Sequence, residues 1–190
     1  MRVISGCARG KKLKTIKGLK TRPTADRVKE SLFNILQNRL PGAYCLDLFA
    51  GSGALGIEAL SRGAQKCLFI EKSARCVKII KENLLHCQLV HKGEVWHKDA
   101  VAALNLLAKC APQFDLIFVD APYGSSVLAP VLEKIALSKT LDRNGLLIVE
   151  HHGQDCLWQE QDFWRVYREK KYGNTMITFL VPGDEPKREE

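Results

Sequence analysis

The sequence predicts an α/β fold, a mostly parallel sheet with helices on both faces, and three observations predict it. From Ala43 onward, short apolar runs alternate with segments of helical periodicity, the pattern of a parallel sheet covered on both sides. The run Tyr44 to Phe49 breaks into Gly51-Ser52-Gly53-Ala54-Leu55-Gly56, and a helical pattern follows through Ile57 and Leu60 to a stop at Ser61-Arg62-Gly63. A buried strand, a tight glycine turn and a helix N-terminus, in that order, form the place where an open α/β sheet holds a cofactor. Finally, an acidic residue recurs where successive strands end: Asp47, Glu71, Asp99 and Asp120. One acid at such a position is as readily a helix cap; four in register point to a ligand crevice at the carboxyl edge.

The elements follow in order. Residues 1–20 read as a short β-hairpin, with Val3-Ile4 and Leu13-Lys14-Thr15-Ile16 as brief strands punctuated by Gly6, Gly10 and Gly18. So short a hairpin must dock on the body or on a partner. Thr24 is placed to cap a helix whose apolar face is Val28, Leu32, Ile35 and Leu36, ended by Pro41-Gly42. The first strand, Tyr44–Phe49, leads to a helix over about Ala54–Ser61. The second, Cys67–Ile70, ends at Glu71 and precedes a helix carrying Val77, Ile80 and Leu84. The third, Val95–His97, is followed by Asp99 and a helix over Ala100–Lys109. The fourth, Phe114–Val119, runs into Asp120-Ala121-Pro122-Tyr123-Gly124. A helix near Val127–Leu137 leads to the fifth, Leu146–Val149. Phe163–Glu169 and Thr175–Val181 form a closing hairpin that turns at Tyr172-Gly173-Asn174, and 184–190 is a polar tail. The expected organisation is a basic extension (1–20), one catalytic domain (21–183) and the tail.

Composition bounds the class. The 190 residues, 46% hydrophobic and 26% charged, suit one globular domain with a substantial core. No apolar run approaches the roughly 18–20 residues of a membrane span. Seven scattered cysteines without a C-x-x-C pair argue against a disulfide framework and a cysteine zinc site, so a reducing cytoplasm is expected. Cys45, Cys67 and Cys110 are read as packing residues. The five histidines share no ligand-like spacing; surface or cap roles are expected for them, and no metal. Charge is unevenly placed: Met1 to Ala25 holds eight basic residues and no acidic one, and the rest of the chain is neutral. The formal +8 therefore lies in the leading arm, where Arg9, Lys11, Lys12 and Lys14 suit a polyanion, nucleic acid first. Lys170-Lys171 extend the same basic character.

Gly51 to Gly56 spells G-x-G-x-x-G, which alone fits NAD or FAD as well as a ligand-free loop. Asp47 shifts the reading, because a carboxylate at the strand end suits a cationic ligand such as S-adenosylmethionine (SAM), with its ammonium and sulfonium, better than a pyrophosphate. Phe49, Ala50, Gly51 and Gly53 then form the loop around the amino-acid moiety. Glu71, 24 residues after Asp47, can accept both ribose hydroxyls, and Asp99 the adenine amino group.

Asp120-Ala121-Pro122-Tyr123 resembles the D-P-P-Y signature of amino-group methyltransferases. An exocyclic amine is a poor nucleophile, because its lone pair is delocalised into the ring. The Asp120 side chain and a backbone carbonyl can accept its two N–H bonds and stabilise the positive charge developing on nitrogen. Tyr123 can stack on the base and Pro122 stiffens the turn. Ala121 replaces the first proline of the signature and keeps the carbonyl.

Three blocks together resemble the RsmD family of bacterial 16S rRNA (guanine-N2)-methyltransferases over most of the chain. They are Arg2-Val3-Ile4-Ser5-Gly6 with Arg9-Gly10-Lys11-Lys12-Leu13, the run Arg22-Pro23-Thr24-Ala25-Asp26-Arg27-Val28-Lys29-Glu30-Ser31-Leu32-Phe33-Asn34, and Leu46 through Ala64. The resemblance implies a Rossmann-like class I SAM-dependent methyltransferase fold, seven-stranded with a reversed last strand. It implies methylation of one guanine N2 in 16S rRNA, on a protein-containing assembly intermediate. It also implies that Arg22 and Thr24 pack near the methionine end of the cofactor. A monomer is expected. An adenine-N6 DNA methyltransferase could share the signature, but little chain remains to read duplex DNA; a non-catalytic RNA-binding module with this fold is the other alternative.

Overall fold

The computed structural model of the chain describes residues 1–15, 23–110, 113–121, 127–152 and 163–183. Its elements are α1 (Pro23–Ile35), β1 (Tyr44–Asp47), α2 (Ala54–Ser61), β2 (Lys66–Glu71), α3 (Ala74–Cys87), β3 (Gly93–His97), α4 (Ala100–Cys110), β4 (Phe114–Asp120), α5 (Leu128–Ser138), β5 (Leu141–His152), β6 (Trp164–Tyr172) and β7 (Thr175–Pro182). They form a seven-stranded sheet in the order β3-β2-β1-β4-β5-β7-β6. β7 runs antiparallel to both of its neighbours, so the expected alternation and the reversed end are both present. Packing divides the chain into two compact units, Met1–Ala100 and Val101–Glu190.

In the first unit β2 lies between β1 and β3, parallel to both, with Cys45 opposite Cys67 and Ile70 opposite Trp96. α2 packs against β2 so closely that a Cβ on Gly56 would stand 2.3 Å from Phe69 Cε1 and 2.6 Å from Cys67 Sγ. Only glycine permits that approach. The leading arm is less regular than a hairpin: one bridge pairs Arg2 with Lys12, flanked by Val3 N donating to Lys11 O (3.0 Å) and Leu13 N to Met1 O (3.0 Å). Polar contacts with α1, α2 and α3, rather than a long ladder, hold it. Gly6 sits against Ser61, whose carbonyl oxygen would be 1.8 Å from an added Cβ.

In the second unit, Leu116 to Val119 of β4, Leu146 to Val149 of β5 and Ile177 to Leu180 of β7 are buried as continuous runs, as strands covered on both faces should be. Trp164 Nε1 donates to Leu132 O at 3.2 Å, tying β6 to α5. β6 and β7 join through Gly173-Asn174, where Gly173 (φ 62°) supplies the positive φ of a tight hairpin turn. Two expectations are corrected here. β5 is far longer than Leu146–Val149, so His151 and His152 lie within it, and His151 is buried rather than at the surface. Its ring nitrogens reach His152 O (2.8 Å) and Thr178 Oγ1 (2.9 Å), which removes the penalty of burying them. Cys110, at the end of α4, is exposed rather than packed.

Candidate active site

β1 ends at Asp47, and the chain turns through Gly51 (φ 53°) and Gly53 (φ 78°) into α2, with Gly53 as the N-cap residue. These left-handed conformations are why glycine stands there. The loop is pinned to the end of β2: Ala50 N donates to Ile70 O (3.1 Å) and Gly51 N to Glu71 Oε2 (2.8 Å). Gly53 N turns back to Ala50 O at 2.6 Å. Three amides that the sequence offers to an amino-acid moiety are thus bonded within the loop's own scaffold.

Asp47 is 1% exposed, and its Oδ2 accepts from Gly56 N at 3.0 Å. Burial pushes its pKa up to about 7, with the Gly56 amide opposing and the Glu71 charge adding to the rise. A cation placed beside this carboxyl would favour the ionised form. Glu71 is half-buried; Oε1 accepts from Ser73 N (2.8 Å) and Oε2 from Gly51 N. A carboxylate offers about four acceptor positions, so two remain for hydroxyl groups. Asp99 lies just past β3, directly before α4, and is exposed. In the second unit Asp120 is the last residue of β4, exposed, and followed by the buried Ala121. The acids therefore stand at the ends of β1, β2 and β4 and just beyond β3, as the strand pattern requires.

Arg22, Pro122 and Tyr123 lie outside the described residues. α1 begins at Pro23, whose fixed φ suits the first helical position, so Thr24 falls within the first turn instead of capping it. In the same turn, Asp26 Oδ1 is buried without a hydrogen-bond partner among the described residues. Of the arm cations, Lys11 Nζ donates to His86 O (2.8 Å) and Lys14 Nζ pairs with Glu82 (2.8 Å); Arg9, Lys12 and Lys14 are all exposed. Among the described residues no cluster of His, Cys, Asp or Glu could hold a metal ion, and no helix is long and apolar enough to cross a membrane.

Two residues that organise this region escape a motif search. Glu58, fully buried in α2, accepts from Ile4 N (2.8 Å), Ser5 N (3.0 Å) and Arg62 Nε (2.8 Å), and pairs with the buried Lys29 Nζ at 3.2 Å. Burial pulls the Lys29 pKa down, against the pull of Glu58 in the other direction. Asn83, 1% exposed in α3, accepts from Lys14 N (2.8 Å) and donates to Lys14 O (3.0 Å) and Ser52 O (2.9 Å). It thereby joins the basic arm to the glycine loop. The available signal was position: Glu58 interrupts an apolar helix, and Asn83 lies on the Val77–Ile80–Leu84 face.

Residues 1–181 match the family model described as Conserved hypothetical protein 95. Ribosomal RNA small subunit methyltransferase D of Haemophilus influenzae is 35% identical over 91% of this chain and 89% of its own length. The chain belongs to the RsmD family. Bacillus subtilis YlbH is 40% identical, covering 93% of this chain and 96% of its own. The solved structure of Escherichia coli yhhF is 32% identical and superimposes with a TM-score of 0.83 over 97% of this chain and 99% of that one. A ribosomal protein L11 methylase from Lactobacillus delbrueckii, at 18% identity and TM-score 0.66 over 83% of this chain and 79% of its own, shares the fold. This member of the RsmD family thus has the class I methyltransferase architecture.

Proposed function

We propose that this protein transfers the methyl group of SAM to the exocyclic N2 of one guanine in 16S rRNA of the small ribosomal subunit. The observation that carries the reading is that β1, β2 and β4 each end on an acid and β3 is followed by one, within a chain of the RsmD family. The residues present fit the cofactor. Asp47 offers a buried carboxyl whose raised pKa a cation would relieve, Glu71 has acceptor positions for a ribose, and Asp99 suits the adenine amino group. Asp26 Oδ1, buried without a hydrogen-bond partner among the described residues and in the block that holds Arg22 and Thr24, is an acceptor that a ligand ammonium would satisfy. SAM supplies an electrophilic methyl group on a sulfonium. The protein's part is to hold the guanine amine with Asp120 and the carbonyl of Ala121, and to fix the base plane with Pro122 and Tyr123. Most of the rate gain is positioning of two bound reactants. Arg9, Lys11, Lys12 and Lys14 hold RNA phosphates near the target. The substrate in this reading is a protein-containing assembly intermediate in the cytoplasm, and the enzyme acts as a monomer without metal.

The test is incubation with tritiated SAM and small subunits that lack the modification. Tritium in guanine N2 is expected. Label in adenine of duplex DNA instead, or SAM binding without transfer to any RNA, contradicts the proposal.

A further inference from the structure

The second unit carries a second basic surface that the totals hide, because its charge is cancelled by acids elsewhere in the sequence. β6 is an edge strand, and its nine residues include Arg165, Arg168, Lys170 and Lys171 against the single acid Glu169. Arg165, Arg168 and Lys171 are exposed, and none of the four cations has an ion-pair partner among the described residues. Glu169 accepts from Thr178 Oγ1 at 3.1 Å, so its charge is partly engaged by the neighbouring strand. The β6–β7 register slips between Val166 and Arg168, and the extra residue, Tyr167, is 59% exposed. A bulge of this kind re-aims a side chain outward. A free aromatic face between cations is the combination that single-stranded RNA stacks on.

Register places this surface with respect to Asp120. Asp120 lies opposite Glu150, Glu150 opposite Ile177, and Ile177 opposite Lys170. Three strand spacings separate Asp120 from Lys170, about 14 Å at roughly 4.8 Å each. The Gly173-Asn174 turn projects from this same carboxyl end of β4 and β5.

We propose that the β6 edge is a docking surface for single-stranded RNA, in which Arg168, Lys170 and Lys171 hold phosphates flanking the target nucleotide and Tyr167 stacks on a neighbouring base. The proposal rests on the rRNA reading above and gives it a second contact, independent of the leading arm. Charge complementarity selects the occupant: charges of either sign blunt an edge against strand pairing, whereas this one carries a run of one sign, without ion-pair partners among the described residues, beside an exposed ring.

The test replaces Arg168, Lys170 and Lys171 with Gln together and, separately, Tyr167 with Ala. Affinity for undermethylated small subunits is measured across a salt series, and binding of S-adenosylhomocysteine serves as the check on folding. The triple variant is expected to bind subunits roughly ten- to a hundredfold more weakly at physiological salt, with a salt slope shallower by about 2. Tyr167→Ala is expected to weaken binding severalfold without altering the slope, and both are expected to bind S-adenosylhomocysteine like the wild type. Should the triple variant fold poorly, protection of β6 peptides in the wild-type protein by bound subunits replaces it as the readout. Unchanged affinity and slope, unprotected β6 peptides, or an aggregating variant whose monomer binds subunits normally would overturn the proposal. If wild-type protein binds subunits through β6 but leaves guanine N2 unlabelled, the surface stands and the methylation reading falls.

Discussion

Among the described residues, the buried polar side chains between Met1 and Ala100 are Lys29, Asp47, Glu58, Ser61 and Asn83; between Val101 and Glu190 they are Thr140, His151 and Thr178, with no Lys, Arg, Asp or Glu. The difference follows from what each region must hold in place. β5, β6 and β7 pair through long antiparallel ladders, so the backbone satisfies itself and the interior can be hydrocarbon. The leading arm and the glycine loop have almost no ladder. Their amides and carbonyls are met one at a time by Glu58, Ser61 and Asn83, and by Glu71 at the rim. Irregular backbone at the candidate site is thus fixed by buried polar side chains, at the risk that losing one partner strands another.

That risk gives the largest expected effect. Glu58→Ala leaves Lys29, 4% exposed, without its carboxylate and should cost about 3–5 kcal/mol in urea denaturation. Phe179→Ala in the other region should cost a similar ~3–5 kcal/mol through its cavity. Hydrogen exchange separates them: Ile4 and Ser5 amides should lose protection in the first variant alone. A loss below 1 kcal/mol for Glu58→Ala would erase the contrast.

Asp47 gives a pH dependence. Its folded pKa, about 7, is raised above the ordinary carboxyl value near 3.8, so its contribution to stability is full below the ordinary value and is lost as pH rises toward 7. A bound cation prefers the ionised form, so SAM affinity should rise with pH up to about 7, by at most about tenfold per unit, and level off above it. Calorimetry from pH 5.5 to 8.5 checks this, and Asp47→Asn should flatten the profile. A wild-type profile already flat would remove the cation from the neighbourhood of Asp47.

Smaller changes sharpen the account of the arm. Asn83→Ala severs both ties to Lys14 and the tie to Ser52, and should raise KM for SAM and for subunits severalfold while leaving kcat nearly intact. A change in kcat alone would deny Asn83 a positioning role. Neutralising Arg9 and Lys12, exposed and without an ion-pair partner among the described residues, should flatten the salt dependence of RNA binding by roughly 0.7 per contact on single strands. An unaltered slope would leave that pair to solubility.

The strand–helix alternation was legible because periodicity and glycine placement are local properties. α2 begins and ends where the Gly53 and Ser61-Arg62-Gly63 signals put it, and the acids fall at the strand ends. What escaped depends on partners distant in sequence. A histidine pair after an apolar run reads as surface, whereas the pairing of β5 with β7 buries His151 and brings Thr178 Oγ1 to its ring. The arm's strand pattern overstated its regularity, because Glu58 and Asn83 supply contacts that a hairpin would have made internally. Charge totals hid the β6 surface and only Lys170-Lys171 stood out in the sequence, because the bulge at Tyr167 and the edge position of β6 are set by pairing with β7.

The measurement closest to the central claim pairs two readouts on Asp120→Ala: calorimetric binding of SAM, and tritium transfer from SAM to undermethylated small subunits. The account predicts SAM affinity within about threefold of wild type and transfer reduced by roughly a hundredfold or more, the scale of losing a group that stabilises developing charge. Transfer at the wild-type rate with SAM bound would contradict it, because the target amine would then be held by something other than the end of β4.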